Sequence, residues 1–219
     1  MSNQTEHKES KSEFLSRYTD LPATIHLLET KSITLLNPAT WDDRNDVFFL
    51  NQYKLQKKKA KSVLALCFSK TRDKYHHWKV FAGGVGGVRI DFDKELLLKD
   101  MKSDTKFKSG EVIYKNIKEV KQSEHPTCEL PFLKRIQFED DQEYRIIFVD
   151  KQHKDVRYKQ VNIGLNCIWR ITLSPWMPET IVQSVRKVLK KIDGCQGMEI
   201  FHSTLIDNQT WQKAGSADG

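Results

Sequence analysis

Residues 138–149 read F-E-D-D-Q-E-Y-R-I-I-F-V, and the reading of this stretch decides the fold. Four acidic residues, Glu139, Asp140, Asp141 and Glu143, run straight into an apolar segment rich in β-branched and aromatic side chains. Period-two alternation predicts a strand, with Tyr144, Ile146 and Phe148 on one face and Asp141, Glu143, Arg145, Ile147 and Val149 on the other. Two carboxylates and an arginine would then share one face where a buried strand begins. That placement costs desolvation free energy unless water, a partner or a ligand compensates it. Two readings stay open here: an ion pair of Glu143 with Arg145 beside an acidic turn, or a functional carboxylate with tuned ionisation.

Upstream, residues 13–19 (E-F-L-S-R-Y-T) read as a first strand ending at Arg17-Tyr18. Asp20 is placed to cap a helix that carries Pro22 in its first turn and runs to about Lys31. Residues 32–36 make a short strand, closed by Asn37-Pro38. Asp42, Asp43 and Asp46 around Arg44 form an Asx-rich polar knot, and a polar helix is expected over 52–61. Residues 62–68 (S-V-L-A-L-C-F) are the most apolar strand of the N-terminal half, hence central, and end at Ser69. One helical turn is expected around Trp78, over 76–81.

The run A-G-G-V-G-G-V-R-I-D-F-D (82–93) is not a phosphate loop. Its glycines precede a strand, 88–92, whereas dinucleotide-binding glycines follow a strand and open a helix. A tight turn or bulge accounts for them. Asp93 caps a short helix over 94–101, and 111–114 is a short strand. Beyond Val149 a charged loop or hairpin reaches Arg157, and 167–174 form a strand. Pro178 stands near the start of the clearest helix, whose stripe is Ile181, Val182, Val185, Val188, Leu189 and Ile192, with Gly194 as its stop. Residues 198–201 are a last strand. Strands outnumber helices and seldom alternate with them. The expected fold is a single α+β domain over 13–213, with a mixed, mostly antiparallel sheet and flanking helices. The polar runs 1–12 and 214–219 are expected to be disordered tails.

At 219 residues, 38% hydrophobic and 30% charged, the chain can bury a core and is neither disordered in composition nor membrane-spanning. The N-terminus lacks the apolar region of a signal peptide, so a cytoplasmic location with reduced thiols is expected for Cys67, Cys128, Cys167 and Cys195. No metal is expected: the cysteines are scattered, and the neighbours His76 and His77 do not converge on one ion without help. The net charge of +7 is uneven. Residues 51–80 hold nine basic side chains against one acid, Asp73. Lys57, Lys58, Lys59 and Lys61 are the candidate polyanion-binding residues of that block, whose plainer reading is a solvated face.

Several segments together resemble a large bacterial family filed as a domain of unknown function. Its members carry an R-Y strand, F-N-D-P-F-E, a strand ending C/S-F-S, W-x-x-Y-A, G-x-x-I-x-F, a W-x-x-E-x-E-Y-R strand, and a closing G-P strand with an amphipathic helix. The matching residues here are Arg17-Tyr18, Pro38 with Trp41 to Asp46, Cys67-Phe68-Ser69, and Trp78 with Phe81-Ala82. Gly87 with Ile90 and Phe92, Phe138 with Asp141, Glu143, Tyr144 and Arg145, and Leu173-Ser174-Pro175 complete the set. Asp141 stands where the family has its first glutamate, and Arg44 replaces the proline.

That layout is in turn similar to ADP-ribosyltransferases, which place an Arg or His on a first strand, a Ser at the end of a second and E-x-E or Q-x-E at a later one. The resemblance implies a fold of that type and NAD as substrate. Glu143 would face the oxocarbenium-like transition state and Asp141 would position or deprotonate the acceptor. Arg17, Tyr18, Ser69 and Trp78 would bind the dinucleotide. A nucleic acid or protein acceptor and a role as toxin or anti-phage effector are the corresponding expectations. Two other classes remain: a non-catalytic module binding nucleic acid or protein through 51–80, and a metal-dependent nuclease built on Asp42, Asp43, Asp46, Asp141 and Glu143.

Overall fold

The computed structural model describes residues 13–57, 59–99, 101–102 and 104–216. The chain runs β1 (Phe14–Asp20), α1 (Leu21–Thr30), β2 (Ser32–Leu36), α2 (Arg44–Gln56), β3 (Ser62–Ser69), α3 (Tyr75–Phe81) and β4 (Gly87–Asp93). Next come α4 (Lys94–Lys99), β5 (Phe107–Glu111), β6 (Ile113–Lys115), α5 (Ile117–Gln122), β7 (Leu133–Arg135) and β8 (Glu143–Asp150). The last elements are β9 (Tyr158–Asn162), β10 (Ile168–Leu173), α6 (Glu179–Leu189), β11 (Ile200–His202) and α7 (Gln209–Ala214). The expected tail 1–12, Lys58 and residues 217–219 lie outside the described residues.

The main sheet branches at β3. Along one side β3 pairs with all of β8, from Ser62↔Asp150 to Ser69↔Glu143. Along the other it meets β2 at Leu36↔Ala65 and β1 only at Ser16↔Ser69. From β1 the sheet continues through β4 and β10 to β11; β2 leads to β9, and β8 to β5. Every pairing in this sheet is antiparallel except β10 with β11. This is the α+β domain with a mostly antiparallel sheet that the strand count predicts.

The two faces differ because the strands alternate. Leu64, Leu66 and Phe68 of β3, with Tyr144, Ile146 and Phe148 of β8, enter the main core together with Leu15, Ile90 and Phe92. Helices α1 and α6 close that core through Leu28, Val182 and Leu189, each such side chain contributing about 1.5–3 kcal/mol. On the other face Val63, Ala65, Ile147 and Val149 pack against Leu50 and Tyr53 of α2. Toward β1 and β4 this face carries Ser16, Tyr18, Ser69, Arg89 and Asp91, and α3 covers it with Trp78.

Several expectations are corrected. The helix expected over 52–61 begins at Arg44, because the polar knot is a cap: Asp43 Oδ1 accepts from the amides of Asn45 and Asp46 at 3.0 and 3.3 Å. The strand expected over 111–114 is two, β5 and β6, separated by Val112. β9 and α5 carry too few apolar residues to announce themselves; both are largely exposed. The glycines before β4 do make a turn, with Gly83 and Gly84 at φ 69° and 76°. A Cβ on Gly87 would meet the Ala82 carbonyl oxygen at 2.6 Å.

Candidate active site

The stretch 138–149 is not one strand. Residues Ile136–Asp141 form a 3₁₀ turn, Gln142 is left-handed at φ 41°, and β8 starts at Glu143. Asp141 therefore does not lie one pleat from Glu143, as alternation predicts. The end of β3 pins the reversal: Ser69 Oγ donates to the Asp141 carbonyl at 2.8 Å, and the Lys70 amide to that of Gln142 at 2.9 Å. The two carboxylates meet all the same, because Lys134 of β7 bridges them, 3.0 Å from Glu143 Oε2 and 3.2 Å from Asp141 Oδ2.

Glu143 is held on both oxygens. Arg145 Nε donates to Oε1 at 2.7 Å while Lys134 takes Oε2. Tyr114 Oη accepts the Glu143 amide at 2.8 Å, and burial pushes that phenol up to about 12. The Glu143 side chain is 7% exposed. Burial disfavours its charge, but Arg145 and Lys134 outweigh burial and bring the carboxyl from 4.5 down to about 2. Arg145 is fully buried and also makes a fork–fork pair with Asp46 of α2, at 2.7 and 2.6 Å, and donates to the Pro131 carbonyl at 2.8 Å. Asp141 is more open, at 15%. Burial raises its pKa, but His77 and Lys134 together set it below the usual carboxylate range.

The paired registers put Ser16, Ser69 and Glu143 in one row across β1, β3 and β8, on one face. Arg17, next to Ser16, falls on the opposite face. Its Nη1 lies 3.4 Å from the Cys67 carbonyl, and its charged neighbour is Asp20. The structure thus brings Ser69, Asp141 and Glu143 together but leaves Arg17 out of the cluster. Tyr18 and Trp78 lie on the site's face, edge to face at 5.3 Å, with Tyr18 also against His77 at 5.2 Å. Both rings are buried, and Trp78 Nε1 is tied to Asp73 Oδ1 at 2.5 Å. They are packing residues, with no open face for a nicotinamide ring.

The basic block is split by β3. Lys57, Lys59 and Lys61 stand at the Ser62 end, Lys61 donating to the Gln152 carbonyl at 3.1 Å. That end is about 23 Å from Ser69 at strand rise. Lys70 and Lys74 emerge at the site end and pair with Glu111 and Asp140. The five-carboxylate metal site is not assembled either. Asp43 caps α2, and Arg145 lies between Asp46 and Glu143.

No family model and no curated protein matches the chain. Solved structures of one protein are similar to it. One is DarT of Thermus sp. 2.9 in complex with NAD+, at 10% identity and a TM-score of 0.44, covering 88% of this chain and 96% of that one. Another is the same protein in complex with ADP-ribosylated ssDNA, at 8% identity and a TM-score of 0.45, covering 88% and 94%.

Four residues beside the site, Lys134, His77, Arg89 and Asp91, are not among the candidates named from the sequence. Lys134 carries no signal, sitting in an ordinary L-K-R. His77 looks unpromising because adjacent histidines diverge, yet the turn at Asp141 comes to meet it: Asp141 Oδ1 is 3.5 Å from His77 Nε2 and 3.9 Å from His76 Nε2. Arg89 and Asp91 are visible as alternate charges in V-R-I-D-F-D; Arg89 Nη2 donates to Asp91 Oδ2 at 2.8 Å, and Ser16 Oγ to Oδ1 at 2.6 Å. Two surface depressions lie beside Ile25, Lys31 and Asp193 and beside Asn116, Lys118 and Arg135. No helix among the described residues is long and apolar enough to cross a membrane.

Proposed function

We propose that this chain is an NAD-consuming enzyme of the ADP-ribosyltransferase kind, moving ADP-ribose to a macromolecule or hydrolysing NAD. The observation that carries the reading is the row Ser16–Ser69–Glu143, in which three segments far apart in sequence meet across three adjacent strands, at the end of β3 and the start of β8. A carboxyl brought down to about 2 stays anionic throughout the neutral range. Cleavage of the nicotinamide–ribose bond builds positive charge on the ribose, and a fixed carboxylate stabilises that charge more than it stabilises the substrate. Each Glu143 oxygen already accepts one cationic donor, and a carboxylate oxygen has capacity for a second hydrogen bond, such as one from a ribose hydroxyl.

Asp141 is the more open of the two carboxylates, so the acceptor-facing role falls to it. Ser69 fixes the Asp141 backbone and Lys134 fixes both carboxylates. Tyr18 supports α3 from beneath by packing against its Trp78, and Arg17 has no place in the reaction. A nucleic-acid acceptor is favoured by the rim of α3, where exposed Tyr75 stands beside Lys74 and Lys79. Use as a toxin or defence effector would follow from such an acceptor.

The experiment is to incubate the protein with NAD and follow nicotinamide release. Glu143→Gln should lower the rate on the order of a hundredfold or more. Asp141→Asn, at a less buried position, should abolish transfer to the acceptor before it abolishes NAD cleavage. Equal release by wild type and Glu143→Gln, with both folded by circular dichroism, would end this reading.

A further inference from the structure

The hydroxyls beside the carboxylates fix a tautomer. The Asp141 carbonyl can only accept, so Ser69 Oγ commits its proton there, at 2.8 Å. Ser69 Oγ therefore accepts from Thr71 Oγ1 at 2.9 Å, as it does from the Thr71 amide at 3.1 Å. With its proton committed, Thr71 Oγ1 presents a lone pair to His77 Nδ1, 3.4 Å away. Nδ1 is then a protonated nitrogen, so whenever the imidazole holds a single proton Nε2 carries the lone pair. That Nε2 is buried, on a side chain 1% exposed, and has no hydrogen-bond partner among the described residues. It faces Asp141 Oδ1 at 3.5 Å, so two electron-rich atoms confront each other in a buried setting. The contact therefore calls for a positive centre between the two atoms, a proton or a metal ion.

A third donor is present. One ligand atom each from His76, His77 and Asp141 lies within 4.8 Å of the other two. Ligands about 2.0–2.1 Å from a tetrahedral ion stand about 3.4 Å apart, close to the 3.5 and 3.9 Å separations of the two Nε2 atoms from Oδ1. His76 is 45% exposed and leaves the solvent side open. Thr71 at Nδ1 and Lys134 at Asp141 Oδ2 are the outer contacts that orient ring and carboxylate.

We propose that His76, His77 and Asp141 bind a borderline divalent cation of the Zn²⁺ type, with an open position toward solvent. The inference does not rest on the NAD reading, and its test contains no NAD. The full chain is stripped with chelator, desalted and titrated with Co²⁺ by visible absorption and with Zn²⁺ by calorimetry. The expected result is one ion per chain, with ligand-field bands of a nitrogen and oxygen set and no thiolate charge transfer. His76→Gln, at an exposed position, should weaken binding on the order of tenfold or more, and Thr71→Val should weaken it about tenfold. No uptake by wild type, equal uptake by His76→Gln, or thiolate bands would each overturn the proposal. So would a His77 that NMR finds doubly protonated at neutral pH in the presence of Zn²⁺.

Discussion

Two arginines on the same sheet face, Arg145 of β8 and Arg89 of β4, are both almost wholly buried, yet their surroundings are unlike. Arg145 is closed: Glu143, both oxygens of Asp46 and the Pro131 carbonyl take its donors, all within 2.6–2.8 Å. Arg89 is open: Asp91 takes Nη2, Asp73 is 3.1 Å from Nη1, and Nε has no hydrogen-bond partner among the described residues. The buried Tyr18 hydroxyl and Thr172 Oγ1, on residues that pair with Arg89 from β1 and β10, lack partners there too. The difference lies in where the acids come from. Asp46 sits in the first turn of a capped helix aimed at Arg145, whereas Asp91 is divided among Arg89, Arg170 and Ser16. Burial of a charge is thus not one condition but two, a filled network and an underfilled one.

The largest break in this comparison should come from Asp46→Ala. It strips the forked partner from a buried guanidinium and should cost about 3–5 kcal/mol, read by denaturant unfolding. If the loss is below about 1 kcal/mol, the Arg145 network does not lock β8 to α2.

Acid should act on the same network, measured on chelated protein. Glu143 is depressed from 4.5 to about 2, so its contribution is present above 4.5 and is lost as pH falls through that value toward about 2. The loss is about 3 kcal/mol for this group alone. Asp46 works against it. Burial raises the Asp46 pKa more than Arg145 lowers it, so its protonation in acid is favoured by folding and offsets part of the loss. The two shifts differ because Glu143 has a cation on each oxygen, whereas Asp46 shares its one arginine with Glu143. Glu143→Gln should flatten the profile between about pH 2 and 4.5.

Arg89→Ala should be the mildest, about 1–3 kcal/mol, since Asp91 keeps Arg170 Nε at 3.1 Å and Ser16 Oγ at 2.6 Å. A cost equal to that of Asp46→Ala would remove the distinction between the two arginines.

Much of this architecture is legible in the chain. The apolar run S-V-L-A-L-C-F makes β3 central, Asp20 does cap α1 through the Ala23 amide at 2.8 Å, and of the α6 stripe Val182, Val185, Leu189 and Ile192 pack on the core while Ile181 and Val188 are exposed. Those features are local: period, cap and turn depend on neighbours a few residues away. Residues on one strand can also be assigned to faces, and that assignment puts Glu143 on the face of Arg145 and Ile147. What the sequence could not supply was anything that depends on a partner strand or a bend. Whether Arg17 or Ser16 faces Glu143 is a matter of register between β1 and β3, and one residue of slip exchanges the two. Whether Asp141 belongs to β8 turns on a single left-handed residue, Gln142, held from β3. Lys134 reaches both carboxylates only because β7 folds beneath them, and His76 and His77 converge on Asp141 only because the turn advances to meet them. Local sequence determined the elements and their faces; contacts between segments far apart in the chain, Asp46 with Arg145 and Ser69 with Asp141, decided which charges share a site.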